Sequence, residues 1–133
     1  MKKIKKKNYK TATRYIDAFV IPISKKNLEK YRKMALDAGQ IWMDHGALAF
    51  YETVGDDLNI LKGSVTFPKM ARLKKGEVLL FSWIQYKSRA HRDRVNNKVI
   101  KDRRMADAEH YGPLFEIKTM SYGGFECIVS LGK

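Results

Sequence analysis

Residues 77–86 read Glu77-Val78-Leu79-Leu80-Phe81-Ser82-Trp83-Ile84-Gln85-Tyr86, and this run decides the fold. Ten residues pass without a glycine, proline, asparagine or aspartate, and most are β-branched, aromatic or aliphatic. Such a run is too short for a buried helix and too apolar for a sheet edge, so it predicts a central strand covered on both faces. Upstream, residues 55–76 carry Gly55, Asp56, Asp57, Asn59, Gly63, Pro68 and Gly76. That is turn chemistry, with at most a short extended piece over Ser64 to Phe67. A connection of this length is uncommon in a compact domain and is often functional. Before it, Ala47 to Val54 reads as a strand. Lys26 to about Asp44 reads as an amphipathic helix on the spacing of Leu28, Tyr31, Ala35, Ala38, Trp42 and His45, with Ser24 as N-cap and Gly46 as C-cap. Gly39 is a weak point within it, worth about 1 kcal/mol against Ala. Thr13 to Ile23 reads as the first strand, closed by Pro22.

Downstream, Lys87 to Lys101 reads as a second helix capped by Ser88, with a thin apolar face of Ala90, Val95, Val99 and Ile100. Met105 to Phe115 is irregular. Lys118 to Leu131 reads as a last strand, in which Gly123-Gly124 marks a bulge or a close backbone approach. The order strand, helix, strand, strand, helix, strand is the ferredoxin-like βαββαβ plan. It predicts an α+β domain over residues 13–133: a four-stranded antiparallel sheet, two helices on one face, the first and third strands central, and the last beside the first.

Helices can cover only one face of this sheet. Sorted by alternation, Ile16, Ala18, Val20, Val78, Leu80, Ser82, Ile84, Phe125 and Cys127 form a small apolar set suited to packing beneath helices. Tyr15, Asp17, Phe19, Phe81, Trp83, Gln85, Tyr122 and Glu126 form a large aromatic set for the open face. An aromatic face left open to water marks an interface, and a twofold homodimer would cover it.

The chain of 133 residues carries 27 Lys+Arg against 14 Asp+Glu, a formal charge of +13. Residues 1–14 supply Lys2, Lys3, Lys5, Lys6, Lys7, Lys10 and Arg14 with no acid, so the body is only moderately basic. The bland reading of residues 1–12 is a disordered, solubilising tail. The sharper one is a nucleic-acid or anionic-surface contact, which only Tyr9 would support by stacking. No apolar core follows the lysines, as a secretory signal requires, and no run approaches a membrane span. With a single cysteine, Cys127, there is no disulfide framework, and a cytoplasmic location is expected.

Asp17 and Glu126 on neighbouring strands are the candidate catalytic carboxylates, because coupling would raise one into the useful range for acid/base work. Trp83, Gln85 and Tyr122 would share their face as pocket wall. The alternative is that these polar groups satisfy one another across a dimer interface. A second candidate ligand site lies between sheet and helices, near His45, Ser82, Tyr86 and Asn96. His45 reads first as a hydrogen-bonded core residue or a cation beside a helix C-terminus, and only second as a base at the pocket mouth. No pair of histidines has metal spacing, so no metal is expected, and nucleotide and zinc-protease motifs are absent. The basic second helix, Arg89, Arg92, Arg94, Lys98, Lys101, Arg103 and Arg104, reads as a solvated face, or else as a site for an anion or an acidic partner.

Tyr15-Ile16-Asp17-Ala18-Phe19-Val20, Phe81-Ser82-Trp83-Ile84-Gln85-Tyr86, Arg92-Asp93 with Asn96, Asp102-x-Arg104-Met105, and Met120-Ser121-Tyr122-Gly123-Gly124-Phe125-Glu126 occur in that order. Together, over residues 13–131, they resemble the YbaA-like family, bacterial proteins of unknown function. Gln85 and Arg103 depart from the pattern, which has Glu and Pro there. The resemblance implies the dimeric α+β barrel, in which two sheets close on each other. It implies no activity. That wider group holds cofactor-independent monooxygenases, haem-degrading enzymes, isomerases and members without catalysis, and ligands often sit on its helix side. Three expectations follow: a homodimer binding a small hydrophobic or aromatic ligand; a cofactor-independent monooxygenase or isomerase; or a nucleic-acid or anionic-surface binder through the tail.

Overall fold

β1 (Tyr15–Ser24) and β3 (Glu77–Tyr86) pair antiparallel through the middle of a four-stranded sheet, flanked by β2 (Ala49–Val54) and β4 (Ser121–Glu126) in the order β2-β3-β1-β4. The computed structural model describes residues 14–132, so the basic tail read over residues 1–12 lies outside the described residues. α1 (Leu28–Asp44) and α3 (Arg89–Ile100) cover one face. The ferredoxin-like strand order is the one the alternation of elements predicts.

Two apolar clusters hold the layers together. Val95 and Val99 of α3 and Ile41 of α1 pack on Tyr15, Ile84 and Tyr86. Tyr31 and Ala35 of α1 pack on Ile21, Ile23 and Leu80. Each fully buried side chain here contributes about 1.5–3 kcal/mol. Ile41 was absent from the helical spacing read above, whereas Ile100 turns outward. Ser88 caps α3, accepting from the His91 N–H at 3.1 Å, and Gly46 takes φ +108° just past α1.

Several boundaries differ from expectation. Pro22 does not close the first strand. Leu79 opposite it turns its carbonyl to Gly55 beyond β2, so Pro22 and Leu79 are a non-hydrogen-bonded pair. The missing Pro22 N–H faces the side where β4 has already stopped pairing, at Val20–Ser121, and no ladder bond is lost. Ser64 to Phe67 forms no strand; instead Thr66 caps a four-residue helix, α2 (Phe67–Met70). The irregular stretch after residue 100 contains α4 (Arg104–Ala108) and a 3-10 turn over Glu109–Tyr111. The last strand is shorter than Lys118 to Leu131, because a 3-10 turn occupies Ile117–Thr119. No bulge interrupts it at Gly123-Gly124. Gly124 instead lets the Tyr15 ring lie against the strand: a Cβ there would stand 2.7 Å from Tyr15 Cζ. Gly39 serves similarly in α1, where a Cβ would meet Phe50 Cδ1 at 2.7 Å. It is a close-approach position rather than a weak point.

The assignment of faces is the main correction. Directly opposed residues share a face, and Tyr15, Asp17 and Phe19 stand opposite Tyr86, Ile84 and Ser82. They also stand opposite Glu126, Gly124 and Tyr122. All of these lie on the helix side. Ile16, Ala18, Val20 and Phe125 lie on the open side with Phe81, Trp83 and Gln85. Side-chain size within one strand does not fix which parity meets which neighbour; the register between strands does. Cys127 likewise is not beneath the helices; it follows β4, half-buried, with its thiol toward the Val129 carbonyl.

Candidate functional site

The helix-side face brings two polar groupings to the floor beneath α1 and α3. The first surrounds Asp17. Its carboxylate is 1% exposed and accepts from Arg92 Nη1 of α3 at 2.7 Å. Arg92 also donates to the Tyr122 hydroxyl at 3.1 Å and to Asp93 at 2.7 Å, and lies 5.0 Å over the Tyr15 ring. Alongside, Asn96 Oδ1 accepts from the Tyr86 hydroxyl at 3.1 Å and from the Trp42 indole N–H at 3.0 Å. Burial pushes the Tyr86 phenol above its ordinary range, with the Asp17 charge adding to it. A carboxylate clamped by a guanidinium and ringed by phenols is a positioned anchor, not a free base.

The second grouping was not singled out by sequence. Glu52 of β2 stands opposite Ser82 of β3, pointing to the helix side. Tyr31 of α1 donates its hydroxyl to Glu52 Oε2 at 3.0 Å, and the Ser82 hydroxyl lies beside both. Burial pushes the Glu52 carboxyl up to about 7, against the smaller lowering by Tyr31 and Ser82. None of the groups that shift it is a cation. Burial, then the Glu52 charge, raises the Tyr31 phenol above its ordinary range.

Glu52, Tyr31 and Ser82 border a cavity of about 140 Å³ between α1 and the sheet. Its walls are otherwise apolar: Phe19, Trp42, Phe50, Phe115 and Met120 among them. That volume matches a single aromatic ring, since an apolar cavity of about 150 Å³ takes up benzene. A carboxyl without a cation, near neutrality and facing an apolar space, can bind a hydroxyl or exchange a proton with a bound molecule.

The structure places the sequence-derived candidates as follows. Ser82 borders the cavity, and Tyr86 and Asn96 hold Trp42 in its wall. His45 is elsewhere: its Nε2 meets Asp102 at 2.7 Å beyond the end of α1. Hydrogen bonds from Arg104 and then His45 hold Asp102 well below the usual carboxylate range, and Arg104 reaches on to Asp44 at 2.7 Å. This cluster ties the ends of α1 and α3 together. Asp17 and Tyr122 share Arg92, whereas Glu126 is exposed at the edge strand. Trp83 and Gln85 are on the opposite face, where Trp83 stacks on Tyr51 with centroids 4.7 Å apart and meets Phe81 at 5.8 Å. Phe81, Tyr51 and Phe125 are substantially exposed there. The expected single pocket of Asp17, Trp83, Gln85 and Glu126 therefore does not assemble. One signal pointed to Glu52: an acid of the parity that places Phe50 and Val54 on the same face.

Among the described residues no group of three or more His, Cys, Asp or Glu is placed to hold a metal ion, and no helix is long and apolar enough to cross a membrane.

Residues 14–115 match the family model described as "Protein of unknown function (DUF1428)". The "Uncharacterized protein YbaA" of Escherichia coli strain K12 is 37% identical over 117 residues, covering 87% of this chain and 97% of its own. The protein of that name from Shigella flexneri matches to the same extent. A solved structure from Nitrosomonas europaea, described as a "Putative antibiotic biosynthesis monooxygenase", superposes with a TM-score of 0.56 over 94% of this chain and all of its own. At 9% identity that likeness concerns the fold alone.

Proposed function

The chain belongs to the DUF1428 family of proteins of unknown function, and from there we propose that it binds a small, largely apolar molecule between α1 and the sheet, with Glu52 on its one polar group. The observation that carries this is a carboxyl at about 7 on the wall of an apolar cavity the size of one aromatic ring. A phenolic or enolic hydroxyl suits it. Such a group donates to the ionised carboxylate, while Tyr31 holds the other side of that carboxylate in place. Asn96 fixes the Trp42 ring as a wall, and Arg92 holds the floor strand through Asp17.

The raised Glu52 also supports a catalytic use of the same geometry. A base poised near neutrality is suited to removing a proton from a bound enol or phenol, the opening step of a cofactor-independent isomerisation or oxygenation. Asp17 and Glu126 do not fill this role in our reading, the first being committed to Arg92 and the second standing outside the cavity.

The open face, carrying Tyr51, Phe81, Trp83 and Phe125, fits burial against a second copy in a homodimer.

Phenol and benzene titrations tested by amide-resolved NMR address the binding proposal. Phenol is expected to shift Tyr31, Ala35, Glu52 and Ser82 saturably and more tightly than benzene, and Ala38→Phe, which fills the cavity, is expected to abolish the shifts. Unchanged binding in Ala38→Phe, or shifts that never saturate, refutes it.

A further inference from the structure

At the far end of β1 the chain builds a second, wider space of about 790 Å³. It lies between the turn that follows α2 and residues 113–121, with Ile23 and Ser24 at its base. Its chemistry differs from that of the inner cavity. Arg72, Lys74 and Lys118 line it, together with the acids Glu77 and Glu116. Both acids are already engaged. Glu77 Oε1 accepts the Lys74 backbone N–H at 2.7 Å, and Glu116 pairs with Lys118 at 3.3 Å. Among the described residues, Arg72 and Lys74 have no ion-pair partner. Arg72 is set by the backbone rather than by side-chain contacts. It takes φ 53° as α2 ends, and the following Leu73 N–H returns to the Pro68 carbonyl at 2.9 Å. The groove is therefore net positive, with two free cations on one rim and hydroxyl donors, Ser24 and Ser121, along the base.

Apart from Asn27 and Thr119, the other lining is apolar. Ile23 and Leu114 are buried, and Phe115 is a wall common to this groove and to the inner cavity, where it meets Tyr31 edge-on at 6.0 Å. A bare inorganic anion would leave that wall unused. We propose that the groove binds an amphipathic organic acid, its anionic head on Arg72 and Lys74 and its apolar body against Ile23, Leu114 and Phe115. Charge-assisted hydrogen bonds supply the orientation, and the apolar wall supplies the selectivity for a body over a bare ion. This site stands independently of the Glu52 cavity. It accounts for the length of the connection over residues 55–76, whose C-terminal part presents both cations.

Hexanoate and 1-hexanol, titrated into the full chain at constant ionic strength with amide-resolved NMR, test it. Hexanoate is expected to shift residues 24, 72–74 and 114–121 saturably, while the uncharged alcohol leaves them unmoved. In R72Q/K74Q the affinity should fall roughly tenfold or more, as losing two charge-assisted contacts implies. The charge-retaining R72K/K74R should bind as the wild type does, which separates lost charge from lost folding. Equal shifts by the alcohol, no saturation, or unchanged affinity in R72Q/K74Q overturns the proposal. Shifts confined to Tyr31 and Glu52 would report the inner cavity and also overturn it.

Discussion

Glu52 makes stability depend on pH in a direction opposite to that of most carboxylates. Its ordinary value is 4.5 and burial lifts it to about 7 in the folded chain. Between those values the native state holds a proton that the unfolded chain has released, so stability falls as pH rises. The loss begins near pH 4.5 and is complete once pH has passed through about 7. At 1.36 kcal/mol per unit, the full loss is about 3 kcal/mol, a large share of the 5–15 kcal/mol typical of a domain. Glu52→Gln keeps an acceptor for the Tyr31 hydroxyl and removes the titration. Urea unfolding followed by tryptophan fluorescence, at pH 5, 6, 7 and 8 and fixed protein concentration, gives the comparison. Every other ionisable group is common to both proteins and cancels in the difference. Glu52→Gln should gain on the wild type by about 2.5 kcal/mol between pH 5 and pH 8. A difference that stays flat across this range would refute the burial argument, and with it the reason for assigning Glu52 to the site.

Arg92→Ala should destabilise by about 3–5 kcal/mol in the same urea assay, because it leaves the Asp17 carboxylate buried without its cation. Arg92→Lys should lose less, keeping the charge on Asp17 but not the further donors that reach Asp93 and Tyr15. Gly39→Ala should destabilise by about 1 kcal/mol despite the better helix former, since the clash of its Cβ with Phe50 outweighs the propensity gain. A thermal melt above that of the wild type would show that Phe50 simply moves aside.

The strand order and the pairing of helices with one face were legible because they depend on periodicity and connection length, which a single chain displays. The central run at 77–86 is a strand of the expected extent, and Ser88 and Gly46 cap the helices as their types predict. The candidate site was less legible, because it depends on register. Asp17 looked like an open-face carboxylate beside Trp83; pairing Asp17 with Ile84 moved it to the helix side. Arg92 looked like one charge of a solvated basic helix, and only the tertiary structure shows it reaching across to β1. Asn96, by contrast, was read on the helix side near Tyr86, and it bonds to it. Glu52 escaped notice because an acid in a short edge strand ordinarily faces water, and the α1 residue that buries it is 21 positions away.

The two carboxylates on the helix-side face sit in opposite electrostatic regimes, and that contrast assigns their roles. Asp17 is more deeply buried, yet the Arg92 guanidinium compensates it and is itself held by the Tyr122 and Tyr15 hydroxyls, so its charge is part of the packing. Glu52 has a phenol and a hydroxyl but no cation among the groups that shift it. A glutamine would accept the same Tyr31 hydrogen bond without the desolvation of a charge, so stability gives no reason for the acid. In the proposed reading, the acid serves what else the carboxyl can do. The carboxyl borders an apolar cavity with room for one ring, the setting in which an ionisable group interacts most strongly with a bound polar atom. Perturbed acids gather at functional sites for this cause. Here the perturbation, the cavity and the Trp42 wall fixed by Asn96 converge on one face of one sheet. On the other face, Tyr51, Phe81 and Phe125 stay exposed.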